Sequence, residues 1–306
     1  MNSLQRPLAG TAVGLSISES EHASLHGFPK WQVNRITLQV VSALFGQGVA
    51  VVFGHDWRDD GVMEAVHSFA QQVQPPVPLS PAEADAVQQP LLRNILPWPD
   101  SPRLDEADRE RLSSTLRISP AGLPDELARY ADEALAAGRA SKEYRYLRAR
   151  GLTYLRRQLD DACDARVCIG GRQSGYSGRL PGVVEEALFA VRSGTPLYLA
   201  GMLGGAAKDV IDAVEGKTMP PDFCSDENAR AMYANPAIGE HDRSTRNDRV
   251  MDPSETWADF RRRGRSAIVN SNMLSVEEND ELCRTPVVDR VVELVLTGLS
   301  RVKASR

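Results

Sequence analysis

Four short runs in this chain are largely apolar, without the polar alternation of a half-exposed strand. They read "AVGLSIS" (12–18), "VAVVFG" (49–54), "DARVCIGG" (164–171) and "TPLYLAG" (195–201). Strands of this kind are buried on both faces, which places them in a parallel sheet covered by helices. The segments between them fit that requirement. "KWQVNRITLQVVSALFGQG" (30–48) has apolar residues at 33, 36, 40, 41, 44 and 45, a helical spacing that stops at Gly46 and Gly48. "VMEAVHSFAQQV" (62–73) repeats the pattern at 62, 63, 66 and 69. "LPGVVEEALFAVRSG" (180–194) has Pro near its first turn and Gly just past its end, the usual punctuation of a helix. "GGAAKDVIDAVEG" (204–216) is a further helix.

Between 74 and 124 the chain is Pro-rich and less regular. "PLLRNILPW" (90–98) reads as another strand bounded by prolines, and "ISPAGLPDE" (118–126) as a loop. A long helical region follows, broken near Gly138 and Gly151. The expected fold class is therefore α/β: a Rossmann-like, doubly wound parallel sheet of four or five strands, with a helical insertion and a helical C-terminal tail. The expected organisation is a ligand-binding domain over 1–215, carrying an irregular or helical insertion at about 74–150. A mostly helical extension over 216–306 would pack on the same domain and end in a helix after Pro286.

With 306 residues, 42% hydrophobic and 25% charged, the chain is long enough for a sizeable core. Its net charge of −5 argues against a nucleic-acid partner, because phosphate backbones need a basic surface. The one dense basic run, Arg261 to Arg265, reads as a solvated helix end followed by a turn. The 4 cysteines form no CxxC pair and no zinc spacing, so no metal is expected. No apolar run approaches the ~20 residues of a membrane span and no leader is evident, so the expected location is cytoplasmic.

Three strand ends run into glycine turns: Gly14-Leu15-Ser16, Gly54-His55-Asp56 and Gly170-Gly171-Arg172. In an open α/β sheet these ends lie along one edge, each followed by a helix start with unpaired N–H groups and a positive dipole end. That favours a phosphate or similar anion, although a single such glycine serves equally as a tight turn. Ser16 and Ser18 could donate to the same group. Neither GxGxxG after the first strand nor GxxxxGK[ST] is present, which excludes a standard dinucleotide domain and a P-loop. Pro181 and Gly182 open a helix whose first turn carries Glu185 and Glu186. Successive helical residues point about 100° apart, so at most one of the two faces the ligand edge well. A carboxylate there can hold ribose hydroxyls or stabilise an oxocarbenium-like centre. Arg172 and Arg179 flank it and could clamp phosphate in a forked geometry. His55 and Asp56 read either as acid/base groups or as a cap on the next helix.

"GVAVVFGHDWRDDGVMEAV", "LTYLRRQLDDACDARVCIGGR" and "GRLPGVVEEALFAVRSGTPLYLAG" resemble the SLOG superfamily over about residues 10–215. This is the Rossmann-like group that includes the cytokinin-activating phosphoribohydrolases and the ligand-sensing domains of antiviral defence proteins. The phosphoribohydrolase Gly-Gly…Gly-Leu-Met turn is matched by Gly54-His55 and Gly61-Val62-Met63. The GTxxE part of PGGxGTxxE is matched by Gly182-Val183-Val184-Glu185-Glu186, with Val183 in place of Thr. The family's catalytic arginine corresponds best to Arg156. The resemblance is closer to a prokaryotic branch carrying GGR…GxxGRxPGxxEEAL, linked to nucleotide signalling and TIR-type defence. It implies a nucleotide ligand with no further cofactor, a homodimer, and an effector or TIR-type partner. Two activities stay open: a sensor of an ADP-ribose- or NAD-type ligand, and an N-glycosidic nucleotide hydrolase using Glu186 and Arg156, with Glu185 as the alternative carboxylate.

Overall fold

The computed structural model describes residues 6–54 apart from 22, 24 and 26, then 63–73, 90–99, 115–225 and 252–306, with isolated positions at 106, 107, 110 and 113. Its apolar runs become six strands: β1 (Ala12–Ser18), β2 (Ala50–Phe53), β3 (Leu92–Pro97), β4 (Leu116–Gly122), β5 (Ala165–Gly170) and β6 (Leu197–Ala200). All neighbours pair in parallel, in the order β4-β3-β2-β1-β5-β6. The chain winds outward from β1 to β4, then returns past β1 to add β5 and β6. The direction of winding reverses between β1 and β5, and in such sheets the crevice at that point, beyond the carboxyl ends of the strands, is where ligands bind.

Helices cover both faces. On one face α1 (Lys30–Gly46) and α2 (Met63–Val73) meet Val13, Leu15, Val51, Phe53 and Val167, together with the C-terminal helix. On the other lie the long crossover α5 (Lys142–Asp161), α6 (Gly182–Ser193) and α7 (Gly205–Val214). There they cover Ala12, Val52, Cys168 and Leu199. Short α3 (Asp125–Ala128) and α4 (Ala131–Ala137) precede the crossover. The tail forms α8 (Pro253–Asn272), α9 (Val276–Arg284) and α10 (Val288–Ser305). Leu282, Val291, Leu294, Val295 and Leu299 join the same hydrophobic cluster as the β1–β2 core. Residues 252–306 thus share their core with the sheet.

Two expectations need correction. The sheet has six strands, not four or five, and the segment read as a loop from 118 contains most of β4. β4 is an edge strand with a mixed exposure pattern and a proline, Pro120, inside it. An edge position tolerates a residue with no N–H to give, so Pro120 is compatible with its place in the sheet. The region 74–150 accordingly supplies two strands of the central sheet as well as helices.

The arginine run also differs in detail. Gly264, at φ 60° and ψ −170°, kinks α8 where a turn was expected, and helix resumes to Asn272. The Asn272 side chain then donates to Leu197 O at 2.9 Å, tying α8 to the end strand of the sheet.

Candidate functional site

The β1–β5 register sets Gly14 beside Arg166 and Ser16 beside Cys168. Side chains at these positions point toward α5 and α6, because residues two apart share a face. Arg166 is therefore a charged residue inside a strand covered on both faces, and it is 1% exposed. Its guanidinium lies across Gly14, where an added Cβ would come within 3.0 Å of Cζ and both terminal nitrogens. Glycine at 14 makes the room that the arginine occupies.

Arg166 Nη1 donates to Glu186 Oε2 at 2.7 Å and to Ser16 Oγ at 3.1 Å. Ser16 also donates to Glu186 Oε2. Burial acts to lower the Arg166 pKa, but Glu186, Cys163, Cys168 and Asp160 together outweigh it and hold the guanidinium charged. Behind it, Asp160 Oδ1 stands 3.9 Å from Arg166 Nε, and burial raises the Asp160 carboxyl above its ordinary range despite a 2.8 Å bond from Ser193.

The neighbouring glutamate is placed differently. Glu185 is fully buried; it accepts from Thr153 Oγ1 at 2.5 Å and from Arg156 Nη1. Arg156 comes from the facing side of α5 and is itself buried. Gly178 and Gly182 close over it: a Cβ on Gly178 would lie 2.7 Å from Arg156 Nη1, and one on Gly182 3.1 Å from Nη2. The "GRLPG" turn is thus wrapped around an arginine: a side chain at 178 would push the guanidinium off Glu185, and one at 182 would crowd it. Arg156 Nε stands 3.9 Å from Glu186 Oε1, which joins the two pairs into one charged chain between sheet and helices.

Of the residues singled out in the sequence, the structure brings Gly14, Ser16, Arg156, Glu185 and Glu186 into this cluster. Ser18, Gly170 and Gly171 form the adjoining edge, where Gly171 N donates to Ser18 O at 3.0 Å. Gly170 and Gly171 adopt positive φ, and a Cβ on Gly171 would meet Val183 Cγ2 at 2.6 Å. Val183 therefore packs on the turn with an apolar side chain where the phosphoribohydrolase motif has a hydroxyl. Pro181 is the N-cap of α6 and Gly182 its first residue, and no side chain caps that helix. α7 also starts at the edge without a side-chain cap, after Gly204. Arg172 is exposed and Arg179 half-buried. Gly54 ends β2 against α5, where a Cβ would lie 2.6 Å from Leu159 Cδ1. His55, Asp56 and Gly61 lie outside the described residues.

Sequence reasoning missed three contributors. Arg166 was readable as one charge in a doubly buried strand. Glu21 and Asp209, which hold the loop after Gly171 from either side, gave no local signal. Among the described residues, no group of three or more His, Cys, Asp or Glu side chains is arranged to hold a metal ion, and no helix is long and apolar enough to cross a membrane.

A parallel sheet wound both ways, with its charged cluster at the reversal between β1 and β5, defines a Rossmann-like α/β protein. The family model described as SLOG cluster2 matches residues 7–282, and the chain belongs to the SLOG superfamily. Membership points to a nucleotide-related function. No curated protein and no solved structure matches the chain.

Proposed function

We propose that this protein binds a nucleotide-derived small molecule, of the ADP-ribose or NAD type or a nucleoside phosphate, at the β1–β5 edge. It acts as a sensor or accessory protein in signalling or antiviral defence. The observation that carries the reading is the start of α6, which no side chain caps and which carries the carboxylate of Glu186 in its first turns. The first-turn N–H groups of α6 and its positive dipole end suit a phosphate. Glu186 is fixed by Arg166 and Ser16 and is 15% exposed, which suits a role against ribose hydroxyls.

The rival reading is hydrolysis of a base–ribose bond by Glu186 with Arg156. Glu186 has the carboxylate that such a step needs. Binding without turnover is favoured because Arg156 is committed to the buried Glu185 and closed over by the turn at Gly178. Val183 adds no hydroxyl to the cradle. On the family likeness, the proposal includes a homodimer and an effector or TIR-type partner, with cytoplasmic action and no cofactor beyond the ligand.

The test is to incubate the protein with NAD, ADP-ribose, cyclic ADP-ribose and a panel of nucleoside monophosphates, following thermal unfolding and free base together. A ligand bound only by the folded state raises the unfolding temperature. Stabilisation without free base supports sensing. Free base that vanishes in Glu186→Ala supports the hydrolase. Neither effect with any nucleotide sinks both.

A further inference from the structure

The loop after β5 already holds an anion, and the anion is part of the chain. The Glu21 carboxylate reaches across from the end of β1 and accepts four hydrogen bonds. Gln173 N donates to its two oxygens at 3.1 and 2.9 Å, Ser174 N to Oε1 at 2.7 Å, and Ser174 Oγ to the same oxygen at 2.8 Å. Burial acts to raise the Glu21 pKa, but the hydrogen bonds from Gln173 and Ser174 outweigh it and lower the carboxyl. The loop is fixed from the other side by Gln173 Nε2, which donates to Asp209 Oδ2 on α7 at 2.8 Å. Its first residue, Gly171, touches Val183 at the start of α6, and Gly171 O accepts from Ala206 N at the start of α7. Next in line is Arg172, exposed and, among the described residues, in no ion pair.

Two converging backbone N–H groups with a hydroxyl make an anion-binding concavity. A carboxylate and a phosphate present oxygens of the same charge and similar spacing, so such a cradle takes either. Being of like charge, they cannot share it.

We propose that the N–H groups of Gln173 and Ser174, with the Ser174 hydroxyl, form an anion site that takes a phosphate group of the ligand, and that Glu21 fills the site until the phosphate displaces it. The proposal rests on the nucleotide reading above for its ligand, though the anion site itself can be probed without any nucleotide. Arg172 is placed to pair with the arriving phosphate and Glu21 to leave toward solvent. A site that its own side chain fills most of the time binds ligand more weakly, in proportion to the fraction that is open. The internal carboxylate therefore sets a threshold concentration.

The experiment titrates wild type and Glu21→Gln with inorganic phosphate, following backbone amide resonances, and with AMP and adenosine by calorimetry. In Glu21→Gln, phosphate should shift the Gln173 and Ser174 amides, and AMP should bind about tenfold tighter if Glu21 fills the site nine-tenths of the time. Adenosine should bind both proteins alike. Adding Ser174→Ala to Glu21→Gln should cancel the gain, and thermal unfolding of each variant shows that it is folded. If AMP binds wild type and Glu21→Gln equally, or binds the variant more weakly, Glu21 is a structural staple and the proposal falls while nucleotide binding stands. If no nucleotide binds either protein but phosphate shifts the two amides only in Glu21→Gln, the anion site stands and the nucleotide reading falls.

Discussion

Two arginine-rich regions show how burial changes what the same side chain does. In the first, Arg156 and Arg166 sit between the sheet and the helices, each facing one of two adjacent glutamates. In the second, Arg192, Arg262 and Arg263 converge on Asp259 at 2.8, 2.6 and 3.1 Å, while Arg265 bridges Glu215 and Asp280. The second region has more ion pairs, but its arginines are 34–75% exposed. Solvent screens those pairs and salt weakens them further. The first region has fewer contacts, and each is costly to break, because losing one partner strands a charge away from water. The basic run that stands out in the sequence is therefore a braced helix kink, and the two less conspicuous arginines organise the charged cluster at the β1–β5 reversal.

The sharpest way to break this comparison is Glu185→Ala. It leaves Arg156 and Thr153 without their acceptor, and we expect a loss of about 3–5 kcal/mol in denaturant unfolding. A loss below about 1 kcal/mol would show that the cluster is hydrated and no different from the surface network.

A second effect comes from pH. Burial pushes Asp209 up to about 6, against the bond from Gln173 that lowers it. The folded state then holds a proton that the unfolded chain has already released, so stability falls as pH rises from about 4 to 6. The drop should be on the order of 3 kcal/mol, and it should disappear in Asp209→Asn. A flat profile in the parent protein would place Asp209 in contact with water.

Smaller still is Asp259→Ala, expected to cost about 1–2 kcal/mol with a marked dependence on salt. The sign with pH is opposite to that of Asp209. Burial acts to raise the Asp259 carboxyl, but the bonds from Arg192, Arg262 and Arg263 hold it low. Its contribution is present above the ordinary carboxylate range and is lost as pH falls through the lowered value. The smallest change is Arg265→Ala, for which we expect less than about 1 kcal/mol. A larger loss would make the kink at Gly264 dependent on that bridge.

Much of the fold was legible because its signals are local. Runs such as 49–54 and 195–201 need no partner to be read as buried strands, and Pro181 with Gly194 frames α6 to the residue. β4 was not legible, because an edge strand carries neither a continuous apolar run nor clean alternation. In the site, the turn glycines and the Glu185–Glu186 pair stood out. What each does was hidden, because their partners lie far along the chain: Ser16 meets Arg166 over 150 positions and Glu186 over 170. Adjacent glutamates point to different places on a helix, and only the packed neighbours show that 185 faces Arg156 while 186 faces Arg166 and Ser16. Gly14, read as a turn at a strand end, lies inside β1, and Gly182 was read only as a helix opener; with Gly178, each leaves room for an arginine.

The pairing of β1 with β5 also bears on the order in which this protein assembles. Val13 must find Ala165 with the whole outward half of the sheet strung between them. Closing a loop of that length costs about 4 kcal/mol of chain entropy before a single contact of the cleft is made. Partners so distant slow folding. During synthesis, β1 to β4 emerge well before β5, with one side of β1 open and Gly14 exposed along it. The charged cluster at the β1–β5 reversal can form only when the second half of the chain arrives, so its assembly reports that β5 has joined the sheet.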